Sequence, residues 1–194
     1  MPADPSDRVA DTSVPIHPPI AARWSPRAFD PAAEVTEDEL TALLEAARWA
    51  PTWGQRQPVR FVVGRRGGAV FDDLAGLLRR GNSYATSAGA LILLSADEGE
   101  DERTSLYSAV DAGAAMDSLI IEAVSRGLIA HPMAGFDVAG ATAAFALGDA
   151  LRPLVMIAVG RLASYAEVAP EIAERDQRPR HRLPLEEIVV RIDP

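Results

Sequence analysis

The chain has 194 residues, 48% of them apolar, and a formal net charge of −9, a size at which one domain buries about 70% of its unfolded surface without a metal or disulfide staple. It has no cysteine and no lysine, so all 19 basic residues are arginine; thiol nucleophiles, iron–sulfur clusters, Schiff-base chemistry and a P-loop lysine are excluded. His17, His131 and His181 lie far apart without zinc-site spacing, no run approaches the ~20 apolar residues of a membrane helix, and no basic-then-apolar leader opens the chain, so a cytoplasmic protein binding neither metal, membrane nor nucleic acid is expected.

Residues 1–19 carry five prolines and no apolar periodicity. They read as an extended or disordered arm before a single domain over 20–194. A short helix is predicted at Ile20–Trp24. A stronger one begins after Thr36, where Thr36 and Glu39 form a capping box ahead of the apolar face Leu40, Leu43, Leu44 and Ala47, and Pro51 ends it. Val59–Val63 reads as a strand. Val70, Leu74, Leu77 and Leu78 mark a helix closed by Gly81. The continuous run Ala90–Leu94 predicts a buried strand. After the acidic loop Asp97–Glu102, Thr104 or Ser105 caps a long helix that runs to Arg126 and stops at Gly127. Its small residues (Ala109, Ala112, Gly113, Ala114, Ala115) suit a packed core or an interface. Leu128–Met133 predicts a strand, Asp137 a helix cap with the helix ending near Gly148, and Leu154–Gly160 the clearest buried strand. The tail, about 161–194, holds four prolines and a last β-like stretch, Ile188–Ile192. A tail of that length is usually disordered or wrapped over something, and its β-branched end favours wrapping, onto a second subunit.

Two segments stand out in this acidic chain: Arg23-Trp24-Ser25-Pro26-Arg27 near the start and Arg178-Pro179-Arg180-His181-Arg182 near the end. Guanidinium forks match phosphate oxygens and stay charged at any workable pH. Singly, exposed arginines sit in solvated ion pairs of little consequence; two clusters in so acidic a chain point to one anion. Between them lies the amide-rich loop Ala50–Pro58. A chain this poor in nucleophiles suits a borrowed organic cofactor, here a phosphorylated planar one.

Five stretches in order resemble one family. Arg23-Trp24-Ser25-Pro26-Arg27-Ala28-Phe29 is similar to an R-x-S-x-R-x-F opening, and Ala50–Phe61 to A-P-S-x-x-N-x-Q-P-W-x-F. Gly81-Asn82 precedes a buried strand, and Pro132-Met133-Ala134-Gly135-Phe136 follows one. Arg180–Glu187 forms a basic C-terminal segment. From about Ile20 to Ile192 the chain resembles the FMN-dependent nitroreductase family in its short single-domain form.

That resemblance implies an α+β fold with a central mixed β-sheet flanked by helices. It also implies an intertwined homodimer whose C-terminal strands are exchanged, with flavin sites at the interface. Arg23, Trp24, Ser25, Arg180 and Arg182 would surround the FMN phosphate and ribityl chain, and Arg27 the pyrimidine edge of the ring. Pro51, Thr52, Trp53 and Gln55 would reach the same flavin from the other subunit. Asn82 would bond the pyrimidine edge, or serve only as a helix-end residue. Pro132, Met133, Ala134 and Gly135 would pass beside the ring, Ala134 and Gly135 offering N–H groups. The chain departs from the pattern at Gln55 (usually asparagine), Trp53 (usually small), Val59 (usually tryptophan) and Ala134 (acidic in some relatives). The implied activity is an FMN-dependent NAD(P)H oxidoreductase reducing nitroaromatics or quinones by ping-pong hydride transfer. No protein side chain need act as catalyst, and with no G-x-G-x-x-G present the nicotinamide binds transiently. The alternatives are an FMN store or redox sensor without turnover, and a specialised flavin dehydrogenase or dehalogenase.

Overall fold

The structure, a computed structural model, describes residues 8–193; residues 1–7 of the expected arm and residue 194 lie outside it. Chain order is α1 (Pro18–Ala22), α2 (Glu37–Arg48), β1 (Val59–Arg65), α3 (Ala69–Gly76), a 3-10 helix (Arg80–Ser87), β2 (Ala90–Asp97), α4 (Glu102–Ser125), β3 (Ile129–Met133), α5 (Val138–Ala144), β4 (Leu151–Gly160), α6 (Pro170–Asp176) and α7 (Leu185–Ile188).

The sheet runs β1-β2-β4-β3. β2 is apolar without alternation because helices cover both faces. Ile92 and Leu94 join Leu40, Leu43 and Leu119 of α2 and α4 on one side. Leu91 and Leu93 join Phe71, Leu74 and Phe136 on the other. β4 repeats the division, with Ile157 and Val159 on the α2/α4 side and Met156 and Ala158 opposite. Pro153 has no N–H to give to the ladder, and the β2–β4 register slips between Leu94 and Ser95, where Ser95 pairs with Pro153. α3 lies directly on β1 at Gly64, where a Cβ would stand 2.4 Å from the backbone nitrogen of Phe71.

Among the described residues every strand pairing within the chain is antiparallel, where a mixed sheet with a strand exchanged from a partner was expected. The fifth segment expected to add to a sheet, Ile188–Ile192, forms no strand here. Its first residue closes α7, Val189 caps that helix through an N–H bond to Leu185 O at 2.8 Å, and the rest joins no strand among the described residues. β-branching gives strand propensity, but a strand also needs an edge to pair with. The half of the tail before it stays on its own chain, since Asp30 N–H donates to Arg161 O at 2.9 Å and Ala163 N–H to Ala28 O at 2.9 Å.

Several element ends also move. α1 begins at Pro18 because proline suits the first turn. The capping box at Thr36 and Glu39 is present as predicted. α3 ends at Gly76, and Gly81 lies inside the 3-10 helix instead of capping α3. Asp101 caps α4, accepting the N–H of Thr104 at 2.8 Å, so neither Thr104 nor Ser105 does. Gly127 ends the same helix at φ +71°, with Leu128 N–H reaching Ala123 O and Gly127 N–H reaching Val124 O, a Schellman closure. Asp137 caps α5 as predicted, although that helix stops at Ala144, well before Gly148.

Candidate functional site

α6 brings the two arginine segments together. Its last residue, Asp176, is buried at 2% exposure. Its carboxylate accepts the N–H of Arg27 (3.0 and 2.8 Å) and of Ala28 (3.0 Å). Burial pushes the Asp176 carboxyl up, against the pull of those two N–H groups and of the Arg27 and Arg8 charges. With α6 latched there, the chain after it crosses the 23–27 segment. Arg180 donates to Arg23 O at 3.0 Å and to Arg8 O. Arg23 reaches the Ser25 hydroxyl at 3.3 Å. Arg23, Trp24, Ser25, Arg27, Arg180 and Arg182 all line one open cleft of about 290 Å³.

The cleft is short of negative charge. Among the described residues, none of Arg8, Arg23, Arg27, Arg180 and Arg182 pairs with a carboxylate. Burial and then the Arg182 charge lower the Arg23 pKa, with Asp117 opposing. Burial lowers that of Arg180 too, followed by repulsion from Arg23, Arg182 and Arg8. Clustered guanidinium groups that depress one another have the electrostatics that suit an anion.

A chain of contacts runs from the cleft to the loop after β3. The Arg27 guanidinium sits 5.3 Å from the Tyr84 ring centroid, and the Tyr84 ring lies 5.2 Å from that of His131. His131 places Nδ1 2.8 Å from Pro26 O; a carbonyl only accepts, so Nδ1 carries the proton. Burial foremost lowers the His131 pKa, which favours the neutral ring. Tyr84 O–H donates to Asn82 Oδ1 at 3.4 Å, and Asn82 Nδ2 donates to Gly135 O at 2.9 Å. A Cβ at Gly135 would stand 2.7 Å from Asn82 Nδ2, so only glycine allows this approach. Asn82 therefore ties the 134–136 loop to the 3-10 helix, beyond a helix-end role, and its Oδ1 keeps spare accepting capacity. Ala134 is exposed, Pro132 and Gly135 half-buried. The Met133 side chain is 4% exposed and packs with Phe71, Leu91 and Met156, leaving only its backbone beside the loop.

The amide loop lies elsewhere. Trp53 N–H donates to both carboxylate oxygens of buried Asp111 on α4, at 2.9 and 3.1 Å. The Trp53 ring stacks on Tyr107 at 4.9 Å, with the Arg103 guanidinium 5.3 Å from the indole. Thr52 lines a second cavity, about 410 Å³ and mostly apolar, between α2, α4 and β1. Pro51 and Gln55 are exposed. Within one chain none of these four residues lines the arginine cleft.

Arg8, Tyr84, Asp111 and Asp176 complete these arrangements, yet the sequence alone did not single them out. Asp111 carried one faint signal, an acidic residue amid the small apolar residues of α4.

A family model described as "Nitroreductase family" matches residues 20–94 and 77–161. An uncharacterized 15.4 kDa protein encoded in the ask 5′ region of Mycolicibacterium smegmatis is 61% identical over 138 residues, spanning 67% of this chain and 93% of that one. A crystal structure of an oxidoreductase containing FMN is 28% identical, with a TM-score of 0.83 over 92% of each chain. A nitroreductase-type protein from Desulfovibrio desulfuricans in complex with FMN is 26% identical, with a TM-score of 0.72 over 90% of this chain and 95% of that one.

Proposed function

As the chain belongs to the nitroreductase family, we propose that it is an FMN-dependent oxidoreductase that takes reducing equivalents from NAD(P)H and passes them to electron-poor acceptors such as nitroaromatics or quinones. The observation that carries this reading is an arginine cleft in which Arg8, Arg23, Arg27, Arg180 and Arg182 form no ion pair among the described residues, joined by contacts to the Asn82–Gly135 loop. The residues present fit FMN at both ends. Arg27 Nε is buried with no acceptor among the described residues, and the carbonyl oxygens of a flavin pyrimidine ring would supply acceptors. Arg23, Ser25, Arg180 and Arg182 would hold the phosphate and ribityl chain. Arg27 would set positive charge near the pyrimidine edge, Asn82 Oδ1 would accept a ring N–H, and the Ala134–Gly135 backbone would lie along the ring. Bound FMN would supply the redox step, receiving a hydride (two electrons and one proton) from a nicotinamide and handing the equivalents to the acceptor. The relatives that contain FMN support this assignment.

The working unit proposed is a homodimer. Leu106, Val110 and Gly113 are exposed along one side of α4, and Leu183, Leu185, Ile188, Val190 and Ile192 are exposed along the tail. Contiguous apolar exposure of this kind marks an interface. A partner would also bring Pro51, Thr52, Trp53 and Gln55 to the cofactor, which they do not reach from their own chain.

Mixing FMN-loaded protein anaerobically with NADH and, separately, NADPH tests the activity. Loss of the yellow flavin absorbance with either donor, and its return on adding a quinone, is the expected result. Persistent colour with both donors would favour an FMN store or sensor, a reading to which the Trp53–Tyr107 stack contributes by crowding the loop.

A further inference from the structure

We infer that the described part of the N-terminal arm, at Arg8, is a wall of the arginine cleft and that Arg8 is a phosphate-binding residue; the inference rests on the FMN reading and extends it to a residue outside the matched family region, which begins at residue 20.

Three observations place Arg8 there. First, the arm is tied down by a reciprocal clasp. Arg8 donates through Nη2 to Arg178 O at 2.8 Å while Arg180 donates to Arg8 O, and Ala10 N–H anchors the next turn of chain to Ala21 O at 2.8 Å. Second, the Arg8 guanidinium lies 4.4 Å from the Trp24 ring centroid, a cation–π contact that fixes its plane at the cleft wall. Third, Arg8 Nε is buried and finds no acceptor among the described residues. Arg27 Nε is in the same condition and lines the same cleft. Two buried guanidinium donors without acceptors in one cleft call for oxygen atoms from a ligand, because a donor left dry and unpaired is costly.

The surrounding charges agree. Arg8 adds to the repulsion felt by Arg180, so an anion entering the cleft relieves several guanidinium groups at once. Asp176 and Tyr165 also feel Arg8, and Asp176 already gives its oxygens to Arg27 and Ala28. The neighbouring Tyr165 hydroxyl is itself buried without a partner among the described residues, and burial pushes its pKa up to about 12, so it carries no charge to offset Arg8.

The test compares FMN with riboflavin, which lacks only the phosphate, on unmodified protein and on Arg8→Ala and Arg8→Lys. The expected result is an FMN Kd raised roughly tenfold to a hundredfold in Arg8→Ala, since hydrogen bonds to charged groups are of that strength, with riboflavin unchanged and Arg8→Lys between the two. An FMN Kd that does not move in Arg8→Ala, while unmodified protein binds FMN well, overturns the inference and leaves the FMN reading intact. Equal weakening of both ligands also overturns it, because the arm would then act only by shaping the 23–27 segment. Unmodified protein that binds neither flavin removes the FMN reading and this inference with it.

Discussion

Replacing Arg23 and Arg180 together by alanine is expected to weaken FMN binding by about two to four decades, leaving the purified protein colourless. Each charge-assisted hydrogen bond to phosphate contributes about 1.5–3 kcal/mol, so two lost contacts amount to about 3–6 kcal/mol. The pair is chosen on geometry. Both side chains are partly withdrawn from water and both have depressed pKa values, first through burial and then through each other's neighbours. Such groups have already given up part of their hydration and gain most from an anion. Arg182 is more exposed and spends one bond on the carbonyl of His181 at 2.8 Å, so its removal should matter less. Arg180 also holds the carbonyls of Arg8 and Arg23, so the double variant loosens the clasp as well. Riboflavin separates the two effects: a phosphate contact is invisible to it, whereas a collapsed cleft is not. Isothermal or fluorescence titration at fixed ionic strength is the measurement, and an unchanged FMN affinity would dismiss the phosphate assignment.

Ending the chain after Arg182 is expected to convert the proposed dimer into monomer or aggregate and to empty the cofactor site. None of the described residues removed is buried, and Val190 is fully exposed. In an isolated chain its loss would be nearly neutral. If a partner covers it, the five apolar side chains Leu183, Leu185, Ile188, Val190 and Ile192 each gain about 1.5–3 kcal/mol on burial, before ordering costs. Sedimentation equilibrium distinguishes the cases. A milder variant, Val190→Asp with Ile192→Asp, keeps the chain length and should shift the same equilibrium toward monomer. A truncated protein that remains a yellow dimer would refute the covering role of the tail.

What the sequence disclosed followed from local chemistry. The capping box at Thr36 and Glu39 and the Asp137 cap are short-range hydrogen-bonding patterns, and both appear in the structure. The unbroken apolar runs of β2 and β4 reported burial on two faces. Charge clustering alone suggested that the ends of the chain meet, and Arg180 does bond the carbonyl of Arg23. What stayed hidden depends on distant partners. Arg8 sits in a proline-rich arm without periodicity, and its importance appears only once Trp24 and Arg178 surround it. Asp176 is one acid in an alternating Glu174-Arg175-Asp176 run, and nothing local says that its oxygens face backbone N–H groups 148 and 149 residues away. The α4 cap was misplaced because Glu98–Glu102 offers several acidic residues and only folding selects Asp101. The β-like tail end has propensity for a strand but pairs with neither edge strand of its own chain, β1 or β3, among the described residues.

Titration of the unmodified protein with FMN and then with riboflavin tests most directly whether guanidinium groups from both ends of the chain grip one phosphate. A preference for FMN of about a hundredfold or more, shrinking as salt is raised, is the predicted result. Equal affinity for the two flavins at every salt concentration would contradict it.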